Sequence, residues 1–163
     1  MLKERGEYKT KVNKALFDNE KIKNIILGDI SDLSKGEVIK RFKSHVKSHL
    51  FNEDTVMDAG TYIYYEVFYP DFAPQVKDCQ INMTVICQRD IVDDISFTED
   101  NSDYDGYFGN RVDILSELIE ETLLSNEYVN KFGIGRLELS SVGAYSSNRF
   151  YGVIMNFEVP NFR

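Results

Sequence analysis

Apolar residues recur at two different spacings along the chain, and the change of spacing divides it. Over residues 3–28, Tyr8, Val12, Ala15 and Leu16 fall at helical spacing. Asp18 and Asn19 interrupt this run. Asn19 is suited to cap a second short helix carrying Ile22, Ile25 and Ile26, and Gly28 is a natural stop. Ser34, followed three residues later by Glu37, matches a capping box. It predicts a third helix from Lys35 to about Ser48, with Val38, Ile39, Phe42 and Val46 on its apolar stripe.

The period then shortens. After Gly60 and Thr61 come Tyr62, Ile63, Tyr64, Tyr65, Glu66, Val67, Phe68 and Tyr69, a density of aromatic and β-branched residues that predicts a strand. Pro70 and Pro74 break it, and a second strand follows from about Gln75 to Arg89. In it Ile81, Met83, Val85 and Cys87 alternate with Asn82, Thr84, Ile86 and Gln88, so one face is core and the other more polar. Two strands joined by a short loop predict an antiparallel hairpin.

A strong helix is expected from about Tyr107 to Asn126. At 100° per residue, Phe108, Val112, Leu115, Leu118, Ile119 and Leu123 share an arc of roughly 140°. Asp113, Glu117, Glu120 and Glu121 lie outside it. Phe132, Gly133, Ile134 and Gly135 form a connector. Strands at Arg136–Ala144 and Arg149–Val159 follow, with a hairpin turn over Tyr145, Ser146, Ser147 and Asn148. The last strand sets Tyr151, Val153, Met155 and Phe157 against Phe150, Gly152, Ile154 and Asn156.

The order is helices, hairpin, helix, hairpin. It predicts an α+β fold: an antiparallel sheet of at least four strands with helices packed on one face. No linker or repeat divides the chain. Residues 1–163 read as one domain, comprising a helical region 1–50, a hairpin 60–90, a helix 107–126 and a second hairpin 136–159.

Composition narrows the function. Of 163 residues, 42% are hydrophobic, enough for a core. The net charge of −8 argues against a free-standing nucleic-acid binder, which needs a basic surface. The charge is uneven. Residues 1–49 hold 12 Lys and Arg against 7 Asp and Glu, a net of +5, and the remainder holds 7 against 20, a net of −13. No window resembles a signal peptide or a transmembrane helix, which predicts a protein made in the cytoplasm. Cys79 and Cys87 are eight residues apart in one strand-like run, about 26 Å at ~3.3 Å per residue, too far to bridge. They read as two reduced thiols.

Candidate catalytic chemistry is sparse. His45 and His49 stand i, i+4 on one predicted helix, the spacing of a shared metal. The intervening Val46, Lys47 and Ser48 lack the glutamate of a zinc-protease motif, and two nearby lysines would repel a cation, so packing is the simpler reading. Asn101, Asp103, Asp105 and Gly106 resemble the start of a calcium loop, but its twelfth position is Val112 where a bidentate Glu is needed. Residues 90–105 carry seven carboxylates and could serve two-metal phosphoryl chemistry, a nuclease reading. Yet the acids cluster on one segment and do not converge from several elements. No nucleophile stands beside a base and no phosphate loop is present, so no enzyme and no cofactor is expected.

The amphipathic helix over residues 111–120, the short Gly-containing connector and the closing hairpin ending at residues 149–159 together resemble the tail-terminator (tail-completion) proteins of long-tailed bacteriophages. An N-terminal helical stretch before the first hairpin fits as well. The resemblance implies a non-enzymatic virion protein, assembled in the host cytoplasm. It implies a homo-oligomeric, hexameric ring that caps the tube of major tail tube protein and joins it to the head-side connector or stopper protein. DNA would pass through without specific binding, and no membrane is involved. The alternatives are a head–tail stopper or other neck-ring protein, and a cytoplasmic protein-binding adaptor.

Two sets of residues follow from that reading. Ring subunits need edges or arms that neighbours cover, and Tyr62, Tyr64, Tyr65, Phe68 and Tyr69 are the interface candidates. An acidic channel repels phosphate, and Asp93, Asp94 and Asp103 are the channel-facing candidates.

Overall fold

The computed structural model describes residues 2–69, 72–73, 76–77, 79–94, 104–132 and 135–159. Helices α1 (Leu2–Asp18) and α2 (Glu20–Leu27) meet at Asn19, whose side chain accepts from the Ile22 N–H and caps α2. Gly28 ends α2 with a φ of 70°, a conformation that suits glycine. Helix α3 (Lys35–His45) begins with the full Ser34–Glu37 capping box.

Helix α3 is three residues shorter than its apolar spacing predicts. Val46 turns extended, and β1 (Val46–Lys47) pairs parallel with Ile63 and Tyr64 of β2 (Thr61–Phe68). The sheet edge offers these residues hydrogen bonds that compete with a further helical turn. The second strand is also shorter than expected. A small ladder of β3 (Phe72–Ala73) and β4 (Val76–Lys77) precedes β5 (Gln80–Gln88), which pairs antiparallel with β2 over eight residues.

Helix α4 (Arg111–Ser125) starts at Arg111 and not at Tyr107. Gly106 and Gly109 hold φ values of 89° and 93°, which no right-handed helix contains, and Asn110 caps α4 reciprocally with Asp113. Phe108, assigned to the apolar arc by its spacing, is therefore 81% exposed. Val112, Leu115, Leu118, Ile119 and Leu123 are buried as that arc requires.

A short helix α5 (Glu127–Asn130) leads into the two-residue strands β6 (Lys131–Phe132) and β7 (Gly135–Arg136). Arg136 thus belongs to this connector. The closing hairpin is β8 (Glu138–Ser146) and β9 (Phe150–Glu158).

The main sheet runs β1-β2-β5-β9-β8, antiparallel except at β1. This is the expected α+β layer, with a fifth strand added at one edge. One face carries Ile63, Tyr65, Val67, Ile81, Met83, Val85, Cys87, Val153, Met155 and Phe157. It packs on Tyr8, Val12 and Leu16 of α1, Ile22 and Ile25 of α2, Phe42 of α3 and the buried face of α4. No helix among the described residues is long and apolar enough to cross a membrane.

Candidate interaction surface

The face of the sheet turned away from the helices is built from the alternate residues of the same strands, and it divides into two halves. The aromatic half is covered by a strap, residues 48–58, which leaves β1 and crosses toward the β8–β9 hairpin. Phe51 of the strap packs against Tyr64, Tyr145 and Phe150, with ring centroids 5.1, 5.2 and 6.5 Å apart. Glu53 accepts hydrogen bonds from the Tyr145 hydroxyl at 2.7 Å and the Ser147 hydroxyl at 2.9 Å. The bond from Tyr145, then that from Ser147, holds the Glu53 carboxyl below its ordinary pKa. Arg149 donates to the Val56 carbonyl at 2.7 Å, and Val56 is buried with Tyr62, Tyr64, Ile86 and Phe150 in a second apolar cluster.

The two histidines serve this packing. His45 stacks on Tyr62 at 4.7 Å and 17°, and its Nδ1 lies 2.8 Å from the Thr61 carbonyl oxygen. His49 lies beyond the helix and meets Tyr64 edge-on at 5.5 Å. Because α3 ends at His45, the i, i+4 helical geometry for a shared metal is not formed. No group of three or more His, Cys, Asp or Glu side chains that could hold a metal exists among the described residues.

The other half of the face is polar. Asn82 donates to Asn156 at 2.7 Å and Asn156 to Ser141 at 2.8 Å, a side-chain chain across β5, β9 and β8. In the next row Gln80, Glu158 and Glu138 stand side by side, two like charges directly opposite each other.

The two edges of the sheet differ. At the β2 edge, α1 closes the ladder beyond β1. Arg5 donates from Nε to the Val67 carbonyl at 2.9 Å, and Arg5 and Lys9 contact the Glu66 carboxylate at 2.6 and 2.5 Å. Burial raises the Glu66 pKa, but hydrogen bonds from Lys9, the Val67 N–H and Arg5 outweigh it and hold the carboxyl below its ordinary range. At the other edge no strand among the described residues pairs with the outer side of β8, and Ser140, Ser141, Val142, Gly143, Ala144 and Ser146 are all exposed. From Leu139 to Asn148 it carries no charge and no proline. Natural sheets commonly blunt such edges with charge, proline or a covering element.

The interface candidates are therefore redistributed. Tyr62, Tyr64 and Tyr65 are 5%, 4% and 0% exposed, so they serve this chain's own packing and offer no surface to a neighbour. The Tyr65 hydroxyl donates within the fold, near the Lys9 carbonyl and the Asn13 side chain. Tyr69 is partly buried against the main core, and Phe68 is 39% exposed. Among the acids, Asp93 and Asp94 are both exposed, and Asp94 pairs with Arg111 at 2.6 Å and anchors the start of α4. Asp103, with Asn101 of the calcium-like stretch, lies outside the described residues. Apolar spacing does not reveal the open β8 edge, because it defines a strand and not its neighbours. The signal in the chain is the Ser-, Gly- and Ala-rich run from Ser140 to Ser146.

Among the described residues, fold and surface define a helix-backed sheet protein with one half-strapped face, one closed edge and one open edge. The chain belongs to the YomW family, whose model matches residues 10–159. No curated protein and no solved structure matches it significantly.

Proposed function

We propose that this protein is a non-enzymatic structural subunit of a tailed-phage virion, a tail terminator. In this role it forms a homo-oligomeric, hexameric ring at the end of the tail tube, between the major tail tube protein and the head-side connector or stopper. The observation that carries the reading is the bare β8 edge. A strand whose outer stretch from Leu139 to Ser146 is mostly exposed and carries no protecting charge is costly to keep in a free monomer and useful in a subunit that others complete. The acidic balance of residues 50–163 supports passage of DNA without adhesion, and Asp93 remains the described candidate for a channel surface.

The test is mass spectrometry of purified tailed particles, followed by electron microscopy of the neck. Recovery at a few copies per particle, located at the head end of the tail, supports the role. Absence from intact particles ends it. Location on the connector side would instead favour the head–tail stopper.

A further inference from the structure

We propose that the free protein pairs with a second copy of itself through β8, antiparallel about a two-fold axis at Ala144. The argument starts at the hairpin turn, where the Ser147 N–H donates to the Phe150 carbonyl at 2.9 Å. Antiparallel ladders alternate between hydrogen-bonded and non-hydrogen-bonded pairs. Counting back along the register, Tyr145 opposite Gly152, Gly143 opposite Ile154 and Ser141 opposite Asn156 direct their backbone groups at β9. Val142, Ala144 and Ser146 therefore direct theirs outward, three N–H and three C=O groups spaced along the open edge.

These six groups complement their own two-fold image. With Ala144 opposite Ala144 of a second copy, Val142 faces Ser146 and Ser146 faces Val142, so every outward donor meets an outward acceptor. Other centres fail. Centring on Val142 would place Ala144 opposite Ser140, at the bulge between Leu139 and Ser141, where Ser140 turns its hydroxyl to the Asn156 carbonyl. Centring on Ser146 would place Ala144 opposite Asn148 in the turn. In the Ala144 register Gly143, beside which a Cβ would meet nothing within 4 Å, lies opposite Tyr145 of the second copy. The missing side chain leaves room beside that tyrosine, whose ring stays against Phe51 of its own strap. No charge lies between Leu139 and Asn148 to repel the image. Glu138 stands before the bulge, outside the paired stretch.

A two-fold contact closes on itself and cannot by itself build a ring. The pairing thus describes the free protein, in which the edge is protected until assembly offers β8 another strand. It stands or falls independently of the virion role, which particle composition decides.

The experiment is sedimentation equilibrium of the full chain from about 10 µM to 1 mM, the range where a small edge contact associates, with oxidative cross-linking of single-cysteine additions. A concentration-dependent dimer is expected. Ala144→Cys should form an intermolecular disulfide, because hydrogen-bonded partners have Cα atoms about 5.5 Å apart. Val142→Cys should not cross-link to itself, since its image lies four residues away along the strand, and a mixture of Val142→Cys with Ser146→Cys should. Ala144→Pro removes an outward N–H and no bond to β9, and should weaken dimerisation at least tenfold. Ala144→Lys, which keeps the backbone intact, should do the same. A monomer at 1 mM, equal cross-linking of Val142→Cys and Ala144→Cys, or a dimer unaffected by Ala144→Lys would overturn the proposal.

Discussion

Tyr145 and Glu53, 92 residues apart in sequence, meet at 2.7 Å, the phenol donating to the carboxylate. This contact ties the strap to the β8–β9 hairpin and closes the aromatic half of the sheet face. Tyr145→Phe removes the donor and keeps the ring against Phe51. Amide hydrogen exchange over residues 50–58 should then quicken severalfold, with amides of β5 and β9 unchanged. Uniform exchange rates across the strap in wild type and variant would show that the bond does not hold it.

Acid should loosen the β2 edge first. The Glu66 carboxyl is held below its ordinary value in the fold, so the stabilisation it provides is complete above the unfolded pKa, about 4.5. That stabilisation is lost as pH falls through the lower folded value. Glu66→Gln should flatten the acid limb of a stability-versus-pH curve below pH ~4.5. Parallel limbs for the two proteins would assign the acid sensitivity elsewhere.

Gly152 is required by strand spacing and not by backbone conformation. A Cβ there would lie 2.4 Å from the Val85 carbonyl oxygen and 2.8 Å from the Ile86 side chain. Neither can retreat without opening the β5–β9 ladder. Gly152→Ala should cost about 1–3 kcal/mol in urea unfolding, in the range of overpacked cores.

Two residues of the same predicted apolar arc should behave oppositely. Leu118→Ala opens space in the main core and should cost about 2–5 kcal/mol. Phe108→Ala touches an exposed ring and should change stability by no more than about 0.5 kcal/mol. Chemical denaturation of the two variants side by side reads the difference.

Cys79 and Cys87 are both buried and free, and burial pushes the Cys79 thiol up to about 12. A thiol reagent at pH 8 should label neither in the folded protein, and labelling should follow the unfolding rate. Rapid stoichiometric labelling of the native state would contradict this placement.

Local chemistry alone determined much of this protein. The caps at Asn19 and Ser34 placed α2 and α3, because a side chain bonding the first free N–H groups acts within one turn. The alternation along β5 and β9 identified the core face, because a strand's side chains change sides at every residue. The helix-backed antiparallel sheet followed from the order of these segments. Tertiary structure decided the rest. Val46 joins a strand because β2 stood ready to pair with it. Phe108 is exposed because glycines ahead of Asn110 start α4 late. The burial of Tyr62 and Tyr64 depends on a strap whose anchors, Tyr145, Ser147 and Arg149, lie more than ninety residues on. The open edge belongs to β8 because α1 closes the other side through Arg5 and Lys9. Period and propensity describe a segment's own faces, whereas what covers a face or an edge depends on which distant segment arrives there.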